Sequence, residues 1–148
     1  MTIWFDMDGT IANLYGVDGW LDMLRAYDPK PYAEAEVMLN MSTLARYLHK
    51  VQEAGISIGI ISWLSKCSIP SYDEAVEEAK LAWLKKHLPS VDWDFVYIVN
   101  YGTDKSSFMY TTDDILFDDE EKNREGWGGE AFTPDEIMEV LKGLVKGR

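Results

Sequence analysis

Cysteine is almost absent from this sequence. Cys67 is the single thiol, so no disulfide can form within the chain. Positive charge is also scarce: 14 Lys and Arg stand against 26 Asp and Glu, for a formal net charge of −12. A surface that grips a nucleic-acid polymer needs a basic face to displace counterions. Polymer binding is therefore disfavoured unless the few basic groups cluster. No apolar run approaches the roughly 20 residues that cross a bilayer. The N-terminus lacks a basic region followed by an apolar signal core. Internal repeats, low-complexity tracts and linkers are missing too. These absences point to a soluble protein of the reducing cytoplasm with no membrane partner, and they leave its oligomeric state open.

What is present suits a folded core. The chain has 148 residues, 47% of them hydrophobic, enough for one domain spanning 1–148. Four short apolar runs read as strands: Thr2 to Phe5, Ile56 to Ile61, Asp94 to Asn100 and Ile115 to Phe117. Glu130 to Phe132 is a candidate fifth. Between them lie helical patterns from Gly19 to Ala26, from about Ala33 to Ala54, and from a capping pattern Ser71-x-x-Glu74 to about His87. A last helix opens at Thr133, with Pro134 at its first position and Glu136 closing a capping box. Strands that are apolar throughout and alternate with helices imply a Rossmann-like, three-layer α/β/α fold around a parallel sheet. Every strand then ends on one edge, where ligands of such sheets bind.

The residues that follow the strands carry the chemistry. Asp6 and Asp8 follow the first, within Asp6-Met7-Asp8-Gly9-Thr10. Ser62 follows the second, Lys105 the third, and Asp118-Asp119 the fourth. Lys66 and Lys80 are alternative cations for the same rim. Close carboxylates at the end of a buried strand are costly without a cation. Aspartates from two strands can share a hard divalent ion such as Mg²⁺. A metal-bound carboxylate stays ionised and can attack phosphorus, with the hydroxyl and ammonium binding the phosphoryl group. Cys67, with no partner base nearby in sequence, reads as a bystander in a loop.

These motifs resemble those of the haloacid dehalogenase superfamily of phosphohydrolases. A hydrophobic strand ends in Asp-x-Asp-Gly-Thr, a second ends at Ser62, and Lys105 precedes a strand ending in Asp118-Asp119, in order from Thr2 to Asn123. Lys80-x-x-Trp83-Leu84, His87-Leu88-Pro89 and Lys105-Ser106-Ser107 look most like the small nucleotidase and deoxyribonucleotidase branch. The resemblance implies that Asp6 is the nucleophile and Asp8 the general acid and base. It implies that Mg²⁺ is held by the Asp6 carboxylate, the Asp8 main-chain carbonyl and Asp118, with Asp119 nearby. Ser62 and Lys105 would bind phosphate, with Thr10 and Trp63 as further substrate contacts. Any cap is small, at about 15–40, where Tyr15, Trp20, Tyr27 and Tyr32 could shield substrate or pack in the core. The expected activity is a Mg²⁺-dependent phosphomonoesterase acting on nucleoside or deoxynucleoside monophosphates. Its alternatives are a phosphatase of sugar phosphates or nucleic-acid 3′-ends, and a receiver-like phospho-acceptor.

Overall fold

The computed structural model describes residues 1–146. Its strands and helices, in order, are β1 (Thr2–Phe5), β2 (Ala12–Asn13), α1 (Trp20–Arg25), α2 (Lys30–Glu34), β3 (Glu36–Val37), α3 (Met41–Glu53), β4 (Ser57–Trp63), α4 (Pro70–His87), β5 (Phe95–Val99), β6 (Ile115–Phe117), α5 (Glu121–Gly126), β7 (Ala131–Phe132) and α6 (Ile137–Val145). Five strands form one sheet in the order β5-β4-β1-β6-β7. Every pairing in it is parallel. This is the Rossmann-like α/β fold that the alternating pattern implies.

Alternation along the strands sends side chains to two different layers. On one face Ile3, Phe5, Ile58, Ile60, Ile115 and Phe117 pack with Leu44 and Leu48 of α3, Trp83 of α4 and Leu141 of α6. On the other, Trp4, Ile61 and Leu116 meet Trp127 and the partly buried Phe95, Tyr97 and Phe108. That second layer is made of short elements: a 3₁₀ turn at Lys105–Phe108, the segment to residue 114, and α5. Trp4 fits there because Gly59 lies against it. A Cβ at Gly59 would stand 2.4 Å from the indole ring.

Asp114 ties the N-terminal rim of this sheet. It is fully buried. Its Oδ1 accepts from the Thr2 amide at 2.7 Å and the Thr111 hydroxyl at 3.0 Å. Its Oδ2 accepts from Trp4 Nε1 at 3.2 Å and the Tyr110 amide at 2.8 Å.

Several local expectations are corrected. The helix expected from Ala33 to Ala54 is two helices, α2 and α3, with an extended break between them. Glu36 and Val37 pair antiparallel with Asn13 and Ala12, and the buried Trp83 Nε1 donates to Ala35 O at 2.8 Å. Asn40 then caps α3, accepting from the Thr43 amide at 3.0 Å. The capping box expected at Ser71 and Glu74 does not form. Helix α4 starts at Pro70, and Ser68 Oγ instead donates to the Asp73 carboxylate at 2.7 Å. The box at Thr133 and Glu136 does form. Strand β4 runs on to Trp63, so Ser62 lies within it. Among the described residues no helix is long and apolar enough to cross a membrane.

Candidate active site

The two acids that end adjacent strands are fixed by the sheet itself. The Asp6 amide donates to Phe117 O at 2.9 Å, and the Asp118 amide to Phe132 O at 3.2 Å. Beyond Asp6 the chain wraps into a tight turn. Met7 O accepts from the amides of Thr10, Ile11 and Ala12, and Gly9 adopts φ +80°. That left-handed conformation suits glycine. It also keeps Gly9 flush against Asp119, whose Oδ2 would lie 2.2 Å from a Cβ there.

Lys105 joins the two strand ends. Its buried Nζ donates to Asp6 Oδ1 at 2.9 Å and to Asp118 Oδ2 at 2.7 Å. Burial works against the ammonium, but Asp6 and Asp118 outweigh it and raise its pKa. Thr10 Oγ1 donates to the other Asp6 oxygen at 3.1 Å. Helix α5 clamps Asp118 further. The Glu120 amide and Asn123 Nδ2 donate to its carboxylate at 2.9 and 3.2 Å, and Arg124 to its main-chain oxygen at 3.0 Å. Burial, then the Asp6 charge, raises the Asp118 carboxyl, with Lys105 opposing. Asp119 is pushed up to about 8 by burial and then by Asp6.

Asp8 has a different cation. Lys80 Nζ donates to Asp8 Oδ2 at 2.8 Å, to Ser62 Oγ at 2.6 Å and to Trp63 O at 2.7 Å. Burial raises the Asp8 carboxyl, and Asp6 adds to the rise while Lys80 opposes it. The sequence offers Lys80 only as an alternative to Lys105, whereas the structure brings both to the rim acids. The sequence does carry a signal for it. Lys80 falls in the buried stripe Tyr72, Val76, Lys80, Trp83, Leu84 of α4, where an apolar residue is the expectation.

The remaining candidates are placed as follows. Thr10 is buried behind Asp6 and does not line the cavity beside the rim. Ser62 is buried as well, its oxygen facing Lys80, and it does not line the cavity either. Trp63 forms a wall of that cavity. Its Nε1 donates to Thr103 O at 2.9 Å, and its ring lies 5.0 Å from Tyr101 and 5.3 Å from Lys105 Nζ. The cavity is about 610 Å³ and runs from Asp6, Asp8, Asp118 and Asp119 to Tyr15, Trp20, Leu24, Tyr32 and Tyr101. Lys66 and Cys67 also line it. Tyr27 does not; it packs edge-on against Tyr72 at 5.6 Å.

Asp6, Asp118 and Asp119 each bring one carboxylate oxygen within 4.8 Å of the others. A set of hard anionic oxygens on two adjacent strand ends fits a small dication such as Mg²⁺. The Asp8 carboxylate is turned to Lys80 and lies outside this set. The resemblance, for its part, implies the Asp8 main-chain carbonyl and not its carboxylate as a ligand.

The chain is thus a Rossmann-like α/β protein with acids, two lysines and a wide aromatic cavity at the C-terminal edge of its sheet. Its fold is like that of a solved structure, the D,D-heptose 1,7-bisphosphate phosphatase from Burkholderia thailandensis. The TM-score is 0.53 at 13% identity, over 86% of this chain and 74% of that one. The fold expected from the resemblance to the haloacid dehalogenase superfamily is therefore the fold found. No protein-family model and no curated protein sequence matches the chain.

Proposed function

We propose that the chain is a Mg²⁺-dependent phosphomonoesterase of the haloacid dehalogenase type. One observation carries this reading: Asp6 and Asp8, two residues apart, line one cavity and are held by two different lysines. The carboxylates then have different surroundings, as a nucleophile and a proton carrier require.

Asp6, oriented by Thr10 and Lys105, attacks phosphorus. The P–O bond to the ester oxygen breaks, and Asp8 gives its proton to the departing alkoxide. The ionised Asp8 then takes a proton from water, which attacks the aspartyl-phosphate and releases inorganic phosphate and free Asp6. Lys105 has one N–H beyond those bonded to Asp6 and Asp118, and this one is available to the phosphoryl oxygens. Ser62 accepts from Lys80, is fully buried and does not line the cavity, so Lys105 is the phosphate donor that the geometry favours. Mg²⁺, held by Asp6, Asp118, Asp119 and the Asp8 carbonyl, would neutralise phosphoryl charge when bound.

A nucleoside monophosphate is the favoured substrate. The motifs around Lys80 and Lys105 resemble the nucleotidase branch, and Tyr15, Trp20, Tyr32, Trp63 and Tyr101 offer aromatic faces along the cavity. The segment at about 15–40 acts in this reading as a minimal cap, through Tyr15, Trp20 and Tyr32. A sugar phosphate is the second reading, favoured by the fold likeness to a heptose bisphosphate phosphatase.

Phosphate release tests both readings, using nucleoside and deoxynucleoside monophosphates, sugar phosphates and a 3′-phosphorylated oligonucleotide, with and without Mg²⁺. Release that needs Mg²⁺ and is lost in Asp6→Asn is expected, with nucleotides best. An Asp6→Asn variant as fast as the parent would defeat the mechanism. Stable phosphorylation by acetyl phosphate without ester turnover would favour the receiver-like alternative.

A further inference from the structure

Lys80 is the unusual charge of this molecule. Its side chain is 1% exposed and sits in the apolar stripe of α4. An ammonium there is tolerated only when paired and hydrogen-bonded. It has three N–H donors and no acceptor. All three have partners: Asp8 Oδ2, Ser62 Oγ and Trp63 O. Nothing is left over for a phosphoryl oxygen. Lys105 contrasts with it, bonding two carboxylates and keeping one donor uncommitted. The two lysines are therefore not interchangeable.

We infer that Lys80 is the positioning residue for Asp8, a role that rests on the phosphomonoesterase reading above. Two of its three bonds run to consecutive residues of β4, an interior strand of the sheet. They fix Nζ relative to the strand ends. The third bond holds Asp8 by Oδ2 alone, which leaves Oδ1 to face the leaving-group oxygen and then the water. The Tyr32 ring, centred 5.0 Å from Nζ, limits the head group on another side. Asp8 itself sits within the tight turn beyond β1 rather than in a strand and has no other side-chain partner among the described hydrogen bonds. Its orientation thus depends on Lys80, and Lys80 acts on the reaction only through it.

Leaving-group dependence tests this, because a purely structural role would not alter it. A poor alkoxide leaving group needs the Asp8 proton; p-nitrophenolate departs as a stable anion and does not. In Lys80→Met, kcat/KM for an alkyl phosphate should fall on the order of a hundredfold or more. That for p-nitrophenyl phosphate should fall less than about tenfold. Equal losses on both esters would overturn the inference. If Lys80→Met does not fold, Asp8→Asn/Lys80→Met is compared with Asp8→Asn, which removes the stranded carboxylate. Near-equal rates on p-nitrophenyl phosphate are expected, and a further large loss in the double variant would refute action through Asp8. A parent inert toward both esters would bring down the function and this role together. A parent that is active, with an unmoved ester ratio, would bring down the role alone.

Discussion

Replacing Asp114 by alanine should destabilise the protein by about 3–4 kcal/mol. The figure follows from the donors it leaves behind. Asp114 is fully buried and accepts from the Thr2 amide, Trp4 Nε1, the Tyr110 amide and the Thr111 hydroxyl. Hydrogen bonds to a charged group contribute roughly 1.5–3 kcal/mol each, and an abandoned buried donor costs its desolvation. Tyr110 and Thr111 are exposed and can turn to water. Thr2 and Trp4 are buried and cannot. Two stranded donors at the low end of the range give the estimate, which at this chain length lowers Tm by about 10 °C. Burial alone would raise the Asp114 carboxyl, but the bonds from Tyr110, Thr2, Trp4 and Thr111 outweigh it and hold the carboxyl below its usual range. A depressed carboxylate contributes stability that is complete above its unfolded value of about 4 and is lost as pH falls through the folded value. The gap between parent and variant should therefore be constant near neutrality and narrow in acid below about pH 4. Thermal unfolding followed by circular dichroism at both pH values measures it. A gap under about 1 kcal/mol at neutrality, or one that widens in acid, would refute the assignment of these bonds. Because Asp114 precedes β6 and Asp118 follows it, turnover by the folded variant should be little changed.

Gly59→Ala should destabilise by about 1–3 kcal/mol, since its Cβ would meet the buried Trp4 ring at 2.4 Å; urea unfolding checks this, and no loss would mean that the ring moves freely. Gly9→Ala forces a left-handed residue, at about 1–2 kcal/mol, and displaces the Asp119 carboxylate. The Mg²⁺ requirement of the proposed activity should rise several-fold in a metal titration, while an unchanged requirement would remove Asp119 from the proposed ligand set.

The legible parts of this molecule are those that local pattern determines. Asp6, Asp8, Asp118 and Asp119 could be placed at one edge because Thr2–Phe5 and Ile115–Phe117 are apolar throughout and parallel strands end together. The break between α2 and α3 was not legible. Ala33 to Ala54 satisfies helical periodicity, and only the distant partners Ala12, Asn13 and Trp83 draw residues 35–37 into extended form. The choice among lysines was incomplete for a related reason, since Lys105 and Lys80 both reach the rim acids. Proximity in sequence to a strand end favoured Lys105, whereas Lys80 arrives from the middle of a helix. Spacing of apolar residues showed the stripe it belongs to, but a buried lysine is recognised only when its acceptors are in place.

The sheet order sets a schedule for assembly. β1 precedes the other four strands of the sheet in the chain yet lies between β4 and β6. During synthesis its second neighbour is missing until residues 115–117 have emerged, and the Thr2 amide waits for Asp114, 112 residues away. An apolar strand with an unpaired edge is a hazard for association with other chains. Nascent chains halted before residue 115 should thus be the aggregation-prone species, and chaperones should engage them longest. The acids of the rim come together only at the same late moment, so the appearance of the proposed phosphatase activity would report that β6 has paired with β1.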